Sequence, residues 1–482
     1  MHLLAAQPGG FTDDEGIIDL GQTPGEIVLL SAADSALAGL ADSAEALAED
    51  FPSIRLANWM QLLKPAAFDL YRNKVIDHAT IVVVSLLGGE SYWQYGVEQL
   101  QDWAKQSSTL SPRQLIIVPG DDTPDNELFS ISTTPIQETI KVWRFLREGG
   151  TINHRHLYHF LASRYLAHEN LTSGHLTDKN LTDINAEASY SPTSYLWAEP
   201  RTLPKSLLYL PSSWTQKPYN QYHLNDWEKY WQGDSEKNNN DNKKNNKQKK
   251  NTDPVCAIIF YRSHLQSANA QMFDQLIDTI TAQSLRPLPI AISSLKDKES
   301  LALVNHLTAA TDTSLIINTT GFASHTVSSP DLSSEPTDFS SPFALNIPVL
   351  QLILSSSTES DWKSYSQGLR SRDIAMQIVL PEMDGRIITR AVSFKAEARF
   401  CERCEISVVR YALHQERAHC VAQLAKAYCR LATKGNSEKR IAFILANYPT
   451  KDGRIGNGVG LDTPASTIQL LQALADNHYP IE

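Results

Sequence analysis

The sequence predicts a multidomain α/β protein built from flavodoxin-like parallel sheets and helical connectors. Three observations support this prediction: strand-like runs that are apolar throughout, helical segments between those runs, and a length of 482 residues. Strands without alternating polar positions are typical of a parallel sheet covered by helices on both faces. A chain of this length is too long for one hydrophobic core and indicates roughly two to four domains.

Residues 1–137 are the first predicted domain, an α/β unit. Its strand-like runs cover residues 26–30, 80–86 and 114–118, and each is followed by a polar or glycine-rich turn. The stretch EIVLLSAADSAL shows the pattern, with an apolar strand, a polar turn and an alanine-rich helix in succession. A doubly wound sheet is the expected arrangement.

Residues 138–232 are predicted to form a mostly helical connector, because TIKVWRFLREGGTINHRHLYHFLASRYL places apolar residues at helical spacing. His154, His156 and His159 lie close together there. Their spacing to His159 is not the i, i+4 spacing that puts two ligands on one helix face, so packing is favoured over a metal site.

A lysine- and asparagine-rich insertion follows at residues 233–252. Its stretch SEKNNNDNKKNNKQKK contains no apolar residue. A segment without apolar residues cannot offset the entropy of ordering its chain, so we predict disorder. A nucleic-acid-binding tail is the alternative, and the acidic balance of the remaining chain opposes it.

Residues 253–395 are predicted to be a second, flavodoxin-like domain. Five strand-like runs follow one another at roughly thirty-residue intervals, which suits a doubly wound sheet. They are VCAIIFYRS, LRPLPIAISS, TSLIINTTGFAS, IPVLQLILSS and MQIVLPEMDGR.

Polar residues end several of these runs, and open parallel sheets bind ligands beyond the carboxyl ends of their strands. We therefore expect these residues to line a cleft. They are Arg262, Ser263, His264, Asn318, Thr319, Glu382, Asp384 and Arg386. The alternative, that residues such as Asn318 and Asp384 only cap turns and helices, stays open at this point.

Residues 396–436 are predicted to be helical and contain four of the five cysteines. Cys401 and Cys404 form a CxxC pair, whereas eight residues separate Cys420 from Cys429. A structural zinc site usually takes its ligands from two tight pairs. Buried packing is therefore favoured over zinc, and free thiols suit a reducing compartment.

Residues 437–482 are predicted to begin a third α/β domain. RIAFILANYP is the expected strand, a glycine-rich loop follows it, and STIQLLQALADNHYP is the expected helix after a serine cap. One strand and one helix cannot cover both faces of a sheet. We therefore expect a truncated domain and a polypeptide that is the front part of a longer one.

The glycine-rich loop KDGRIGNGVGLDTPAS permits several interpretations. A Walker phosphate loop is opposed because no GKS or GKT occurs in the chain, and the spacing G-x-x-G-x-G-x-G is not the dinucleotide fingerprint. One remaining interpretation is a cavity wall where bare backbone approaches a flat ligand. Its polar contacts would come from Asp452, Arg454, Asn457 and Asp462. The other interpretation is a purely structural loop that packs two domains together.

Composition and charge restrict the class of partner. The formal net charge is −11, whereas nucleic acids and anionic membranes attract basic surfaces. No run approaches the ~18 apolar residues that span a bilayer, and the start MHLLAAQPGGF lacks the features of a signal peptide. We expect a cytoplasmic protein without a nucleic-acid or membrane partner.

Several stretches together resemble a known family. ANYPTKDGRIGNGVGLDTPAS, SPFALNIPVLQ, IVLPEMDGRIITRAVSFK and the opening HLLAAQPGG are similar to the large subunits of the ATP-dependent tetrapyrrole metal chelatases. The resemblance covers nearly the whole chain apart from the lysine- and asparagine-rich insertion. The opening stretch favours the cobaltochelatase branch of aerobic cobalamin synthesis over the magnesium chelatase branch.

This resemblance implies an activity and partners. Cobalt(II) would be inserted, as a substrate, into hydrogenobyrinic acid a,c-diamide, while two partner subunits including an AAA+ ATPase hydrolyse ATP with Mg. Arginines such as Arg262 and Arg386, with Asn318, would hold the macrocycle. His264, Glu382 and Asp384 would take up its inner protons and pass on the metal.

No residue is assigned as the metal ligand, and the fragment alone is expected to be inactive. Two alternatives remain. One is insertion of magnesium into protoporphyrin IX, and the other is a non-catalytic ligand-binding or scaffold module.

Overall fold

The structure is a computed structural model. It describes residues 3–5, 17–108, 112–166, 172–175, 194–215, 222–232, 253–267, 269–324, 341–445, 456 and 460–481. Two α/β domains form its centre, each around a sheet with a parallel core. This confirms the predicted fold class.

The strands of the described residues are numbered in chain order. They are β1 (Leu3–Ala5), β2 (Ile17–Asp19), β3 (Ile27–Ser31), β4 (Ile54–Asn58), β5 (Ile81–Leu86), β6 (Gln114–Pro119), β7 (Thr172–His175), β8 (Ser194–Trp197), β9 (Ser206–Leu208), β10 (Val255–Tyr261), β11 (Arg286–Ile292), β12 (Thr313–Asn318), β13 (Val349–Thr358), β14 (Ile387–Cys401) and β15 (Ile406–Leu413).

The α-helices are numbered in the same way. They are α1 (Asp34–Glu45), α2 (Pro65–Lys74), α3 (Gln94–Lys105), α4 (Asn126–Ile131), α5 (Ile136–Glu148), α6 (Gly150–Tyr165), α7 (Leu224–Gln232), α8 (Ser263–Gln266), α9 (Gln271–Thr281), α10 (Lys298–Ala310), α11 (Glu359–Ser364), α12 (Ser371–Ile374), α13 (Leu380–Met383), α14 (Gln415–Thr433) and α15 (Thr463–Asp476). None of these described helices has the length and apolar character needed to cross a bilayer.

The first domain contains a parallel sheet in the order β4-β3-β5-β6. Helices α1, α5 and α6 pack on one face, and α2 and α3 pack on the other. The three predicted strands are confirmed as β3, β5 and β6. Strand β4 was not predicted because the charged Arg55 interrupts its apolar run. Arg55 is nevertheless buried, and its Nε donates to the carbonyl of Thr23.

The second domain contains a seven-stranded sheet in the order β15-β14-β13-β12-β10-β11-β9. Its five central strands are parallel and have the flavodoxin order, whereas the edge strands β9 and β15 run antiparallel to their neighbours. Helices α9 and α14 cover one face, and α7 and α10 cover the other. The sheet is therefore doubly wound with antiparallel edges.

The predicted fifth strand MQIVLPEMDGR is helical instead. Residues Ala375–Val379 form a π-helical turn that continues into α13. Pro381 explains the difference, because proline has no amide hydrogen to donate in a central strand but is tolerated in the first turn of a helix. The fifth parallel strand is β14, which begins just after this segment.

The prediction of helix across 396–436 is wrong for its first half. Strand β14 extends to Cys401, and β15 returns from Ile406 as an antiparallel partner. The stretch SFKAEARFC alternates polar and apolar residues, and ISVVRYAL is rich in β-branched residues, and both features are typical of strands. The helix begins only at Gln415, and Cys429 lies in its buried face.

The connector 138–232 is helical in α5, α6 and α7, but β9 joins the second sheet. The lysine- and asparagine-rich insertion, residues 233–252, lies outside the described residues. The predicted third-domain strand is absent from residues 440–445, where Ile444 is 93 % exposed. Helix α15 is present, and its N-cap is Asp462 rather than a serine.

A hairpin of β14 and β15, here called the hairpin arm (387–413), joins the two domains. The carbonyl of Cys404 at its tip accepts a hydrogen bond from the Leu56 amide of β4, the edge strand of the first sheet. Asp42 of α1 forms ion pairs with Arg399 at 2.8 Å and with Arg410. These contacts fix how the two sheets face each other.

Candidate functional site

A cleft lies between the two domains at the carboxyl ends of strands from both sheets. The first domain contributes the ends of β3, β5 and β6, and the second contributes the ends of β10 and β11. Its volume is about 330 Å³. In the first sheet the cleft lies where the strand order reverses between β3 and β5, the position at which open α/β sheets bind ligands. It is the candidate ligand site.

Small residues at the strand ends keep this cleft open. Ser31 and Ala33 follow β3, Ser85 is near the end of β5, and Gly120 follows β6. A Cβ atom at Gly120 would lie 3.1 Å from the Leu87 amide nitrogen, so the two strand ends approach closely only with glycine there. None of these side chains is long enough to fill the space beyond the sheet.

Arg262 forms part of the cleft wall on the side of the second domain. Its side chain is only 9 % exposed, and Nη1 donates to the carbonyl of Leu203 at 2.8 Å. Nη2 lies 3.6 Å from the carboxylate of Asp122, which comes from the first domain. The structure thus places one predicted substrate-binding residue in the cleft.

Other charged residues of the cleft were not predicted from the sequence. Arg147 of α5 pairs closely with Glu148, whose buried carboxylate also accepts a hydrogen bond from the Leu203 amide. Asp121 and Asp122 are exposed at the mouth. Asp121 and Asp122 follow the apolar strand β6, the same pattern that indicates Arg262 after β10, whereas Arg147 lies in a helix and has no such signal.

In the second sheet, buried side chains fill the space at the end of β12, beside the strand-order reversal between β10 and β12. Asn318 and Gln351 are fully buried and joined by a hydrogen bond of 2.7 Å. Thr320 Oγ1 donates to Asn318 Oδ1 at 2.9 Å. The predicted substrate-binding residue Asn318 is therefore part of a buried polar network and does not line the cleft.

Asp384 and Arg386 complete this network. They form an ion pair of 2.6 Å, and each side chain is 1 % exposed. Asp384 also accepts a hydrogen bond from the Ser324 amide, and Arg386 donates to the carbonyl of Thr320. Burial lowers the pKa of Arg386, and the Asp384 carboxylate opposes this effect. The pair connects two loops, and neither residue lines the cleft.

His264, predicted as a catalytic residue, lies behind the cleft wall. Its ring packs edge-on against Phe273 and Tyr411, with centroids 4.9 and 5.7 Å away. Burial lowers its pKa to about 4, so the imidazole is neutral at pH 7. The structure separates it from the cleft-lining Arg262 and Ser263, although all three are consecutive in sequence.

Glu382, the third predicted catalytic residue, is exposed on α13 and does not line the cleft. Asp462 caps α15 by accepting a hydrogen bond from the Ala465 amide at 3.1 Å. Asp452, Arg454 and Asn457 lie outside the described residues. Those predicted site residues that fall within the described ranges therefore do not form one constellation.

The three histidines of α6 occupy separate environments. His154 is buried against Gly39 of α1, and burial lowers its pKa to about 4. His159 Nδ1 lies 2.9 Å from the carbonyl oxygen of Leu196. In the part of the chain that the structure describes, no three His, Cys, Asp or Glu residues are grouped to hold a metal ion.

The cysteines also serve packing in the described residues. Cys401 and Cys404 are buried at the tip of the hairpin arm within the hydrophobic core of the first domain. A hydrogen bond with Cys404 lowers the pKa of Cys401 to about 7. Burial raises the pKa of Cys429 to about 11. All are free thiols.

The fold and the cleft define a protein of two facing doubly wound α/β domains with a ligand-sized space between them. Residues 143–482 match the family model described as CobN/Magnesium Chelatase, so the chain belongs to this family. The resemblance seen in the sequence is thereby confirmed. The matched region contains all of the second domain and begins within α5.

Relatives of both branches are similar to this chain. It is 42 % identical over all 482 residues to the aerobic cobaltochelatase subunit CobN of Pseudomonas aeruginosa. It is 25 % identical over 232 residues, or 48 % of its length, to the magnesium-chelatase subunit ChlH of Oryza sativa subsp. indica, and covers 16 % of that protein.

A solved structure is also similar, the catalytic subunit of cobaltochelatase from Mycobacterium tuberculosis. The TM-score is 0.54 at 25 % identity, and the match covers 94 % of this chain and 31 % of that one. The chain covers 34 % of the Pseudomonas aeruginosa protein. It thus spans about a third of the length of these relatives.

Proposed function

We propose that this chain is the front part of the tetrapyrrole-binding large subunit of an ATP-dependent cobaltochelatase. The subunit holds hydrogenobyrinic acid a,c-diamide while cobalt(II), the second substrate, enters the macrocycle. Two partner subunits, one of them an AAA+ ATPase, hydrolyse ATP with Mg. The reaction is cytoplasmic, and neither nucleic acid nor a membrane takes part.

The observation that supports this proposal is how much of the chain is similar to each branch of the family. The match to the Pseudomonas aeruginosa cobaltochelatase subunit extends over the whole chain, including the first domain. The match to the rice magnesium-chelatase subunit covers about half of the chain at much lower identity. This difference favours cobalt and a corrin over magnesium and protoporphyrin IX.

The size of the cleft limits where the macrocycle can bind. Ligand pockets commonly measure roughly 300–1,000 Å³, and this cleft of about 330 Å³ is at the lower end of that range. A four-ring macrocycle with its side arms is larger than this space. We therefore propose that the ring binds outside the cleft, and Asp452, Arg454 and Asn457 of the glycine-rich loop stay its predicted contacts.

The buried predicted residues support the proposed function only indirectly. Asp384, Arg386 and Asn318 hold the loops after β12 and α13 in place, and His264 stabilises the wall behind Arg262. Glu382 is exposed and retains its proposed role as a proton acceptor. A carboxylate at a surface is able to exchange protons with water and to release a divalent ion again.

An absorbance titration tests the proposal. Hydrogenobyrinic acid a,c-diamide is titrated into a full-length large subunit that contains this sequence, and we expect a saturable spectral change at micromolar ligand. Protoporphyrin IX in competition is the control for the magnesium branch, and its tighter binding would reverse the assignment. An unchanged spectrum with both macrocycles would contradict the proposal.

A turnover assay separates catalysis from scaffolding. We expect cobalt insertion only when the large subunit, both partner subunits, ATP and cobalt(II) are all present. Insertion that proceeds equally without the large subunit would identify the chain as a scaffold module.

A further inference from the structure

The cleft between the domains has the features of a binding site for a ligand much smaller than a macrocycle. It lies at the strand-order reversal of the first sheet, and its inner surface combines apolar residues such as Leu40 and Val83 with serine hydroxyls. Such a mixture of an apolar floor and a few directed polar groups is typical of small-molecule sites. The proposed macrocycle site does not account for it.

Arg262 provides the cleft with a directed positive charge. Its Nη1 is held by the carbonyls of Leu203 and Pro204, which fixes the guanidinium plane. Within the described ranges, no residue accepts a hydrogen bond from Nε, and Nη2 has only the 3.6 Å ion pair with Asp122. The Nε and Nη2 edge of a guanidinium is suited to bind two oxygens of one anion.

The start of helix α1 contributes a second anion-favouring element on the opposite wall. Its N-cap is Ala33, which has no side-chain acceptor for the first-turn amides. Asp34, the acidic residue of that turn, is engaged elsewhere, with Asn58 at 2.6 Å and Lys395 at 2.7 Å. Free amides and the helix dipole favour an anion at such a position.

We propose that the interdomain cleft binds a small phosphate ester, with its phosphate between Arg262 and the start of α1 and its hydroxylated body along the cleft serines. Ser31, Ser85 and Ser263 line the cleft and provide hydroxyl groups for that body. Asp122 is 68 % exposed at the mouth and acts as a counterion that the phosphate displaces. This site is separate from the proposed macrocycle function and does not depend on it.

Calorimetric titration of the chain at low salt tests the proposal, with ribose 5-phosphate as the probe. Ribose is the control without a phosphate, and gluconate is the control with a carboxylate head. We expect saturable binding of ribose 5-phosphate, none of ribose, and weaker binding of gluconate. Absence of binding at millimolar ribose 5-phosphate, or tighter binding of gluconate, would overturn the assignment to a phosphate ester.

Two variants locate the binding in the cleft. Arg262→Lys keeps the charge but loses the two-point contact, and we expect about tenfold weaker binding. Asp122→Asn removes the competing carboxylate from an exposed position, and we expect roughly two- to fivefold tighter binding. Asp102→Asn, at an exposed carboxylate of α3 outside the cleft, is the matched control and should leave the affinity unchanged.

The two variants are expected to change the affinity in opposite directions, so a folding defect cannot explain both results. Arg262 also holds two backbone carbonyls, so the unfolding midpoint of Arg262→Lys is measured alongside its affinity. If that variant fails to fold, Asp122→Asn decides alone, because a loss of stability cannot tighten binding. Equal affinity of wild type and Asp122→Asn would place the phosphate elsewhere and reject the proposal.

Discussion

The two parallel sheets reverse their strand order in the same way but treat the space beyond the reversal differently. In the first sheet, Ser31 and Ser85 stand at this position, and a cleft opens beyond them. In the second sheet, Asn318 ends β12 beside the reversal and is buried together with Gln351 of the neighbouring β13 and with Arg386. The difference shows that one topology can provide an open site in one domain and a filled polar core in the next.

Side-chain length explains the difference. In the first domain, the serine, alanine and glycine residues at the ends of β3, β5 and β6 are too short to fill the space beyond the sheet. In the second domain, the long side chains of Gln351 and Arg386 fill this space and donate hydrogen bonds to the carbonyl of Thr320. Filling the space with polar groups is stable only when each finds a partner. Here the partners come from the loops that would otherwise frame a site.

Removing one member of the buried ion pair should have the largest effect. Arg386→Met leaves the Asp384 carboxylate buried without its counter-charge, and we expect the free energy of unfolding to fall by about 3–5 kcal/mol. Chemical denaturation measures this loss. Glu382→Gln, two residues from Asp384 but exposed, should stay within about 0.5 kcal/mol of wild type. A loss below about 1 kcal/mol for Arg386→Met would show that water reaches the Asp384 carboxylate and that the ion pair is not buried.

Acid should destabilise the protein through two buried histidines, one in each domain. His264 and His154 have pKa values near 4 in the folded protein, while the unfolded chain titrates near 6.5. The unfolded state therefore binds more protons between these values, so stability is complete above pH 6.5 and is lost as the pH falls to 4. Each histidine contributes about 3 kcal/mol to this loss.

The measurement is the free energy of unfolding as a function of pH. His264→Phe keeps an aromatic ring beside Phe273 and should flatten the decline by about half. His306→Gln changes an exposed histidine and serves as the control. A wild-type profile that is flat from pH 6.5 to 4 would contradict the burial of both imidazoles.

The hairpin arm should contribute a smaller amount to holding the two sheets together. Asp42 of α1 pairs with Arg410 of the hairpin arm, and both side chains are less than a third exposed. A double-mutant cycle of Asp42→Asn and Arg410→Met should give a coupling energy of about 1 kcal/mol. The pair Lys105 and Asp102, exposed within α3, provides a control cycle with a smaller coupling. Equal couplings would mean that the hairpin arm docks loosely.

The smallest effect is expected inside the open cleft. Ser85→Ala removes a hydroxyl that fills no space, and the unfolding free energy should change by less than about 0.5 kcal/mol. Asn318→Ala at the corresponding strand of the second sheet should cost about 1–3 kcal/mol, because it leaves buried partners without hydrogen bonds. Similar costs at both positions would remove the distinction between the two sheets.

Much of the fold was predictable because the buried strands are continuous apolar runs. β3, β5, β6, β10, β11, β12 and β13 follow from this pattern alone. β4 was missed because Arg55 lies within it, and the helical character of 375–383 was missed because its run is apolar enough for a strand. The β14 part of the hairpin arm alternates polar and apolar residues in SFKAEARFC, a period of two that the helix prediction missed.

The candidate site was predictable only in its location relative to the strands. The argument from carboxyl ends correctly led to Arg262 as a residue of the cleft wall, yet it could not separate Arg262 from Arg386. Arg386 was expected to end a fifth strand, but that run is helical and Arg386 precedes β14. Only tertiary packing determines that Arg262 faces an opening and Arg386 a carboxylate. The cleft also needs lining residues from the first domain, and the contacts of the hairpin arm determine where that domain lies relative to the second.

Thiol accessibility at matched positions tests the central claim most directly. Ser85→Cys and Asn318→Cys are introduced separately in a Cys420→Ser background, since Cys420 is the partly exposed native cysteine. Modification by a small thiol reagent is followed under native conditions. The account predicts rapid modification at position 85 and modification at position 318 only as fast as the protein unfolds. Rapid native modification at 318, or protection at 85, would contradict it.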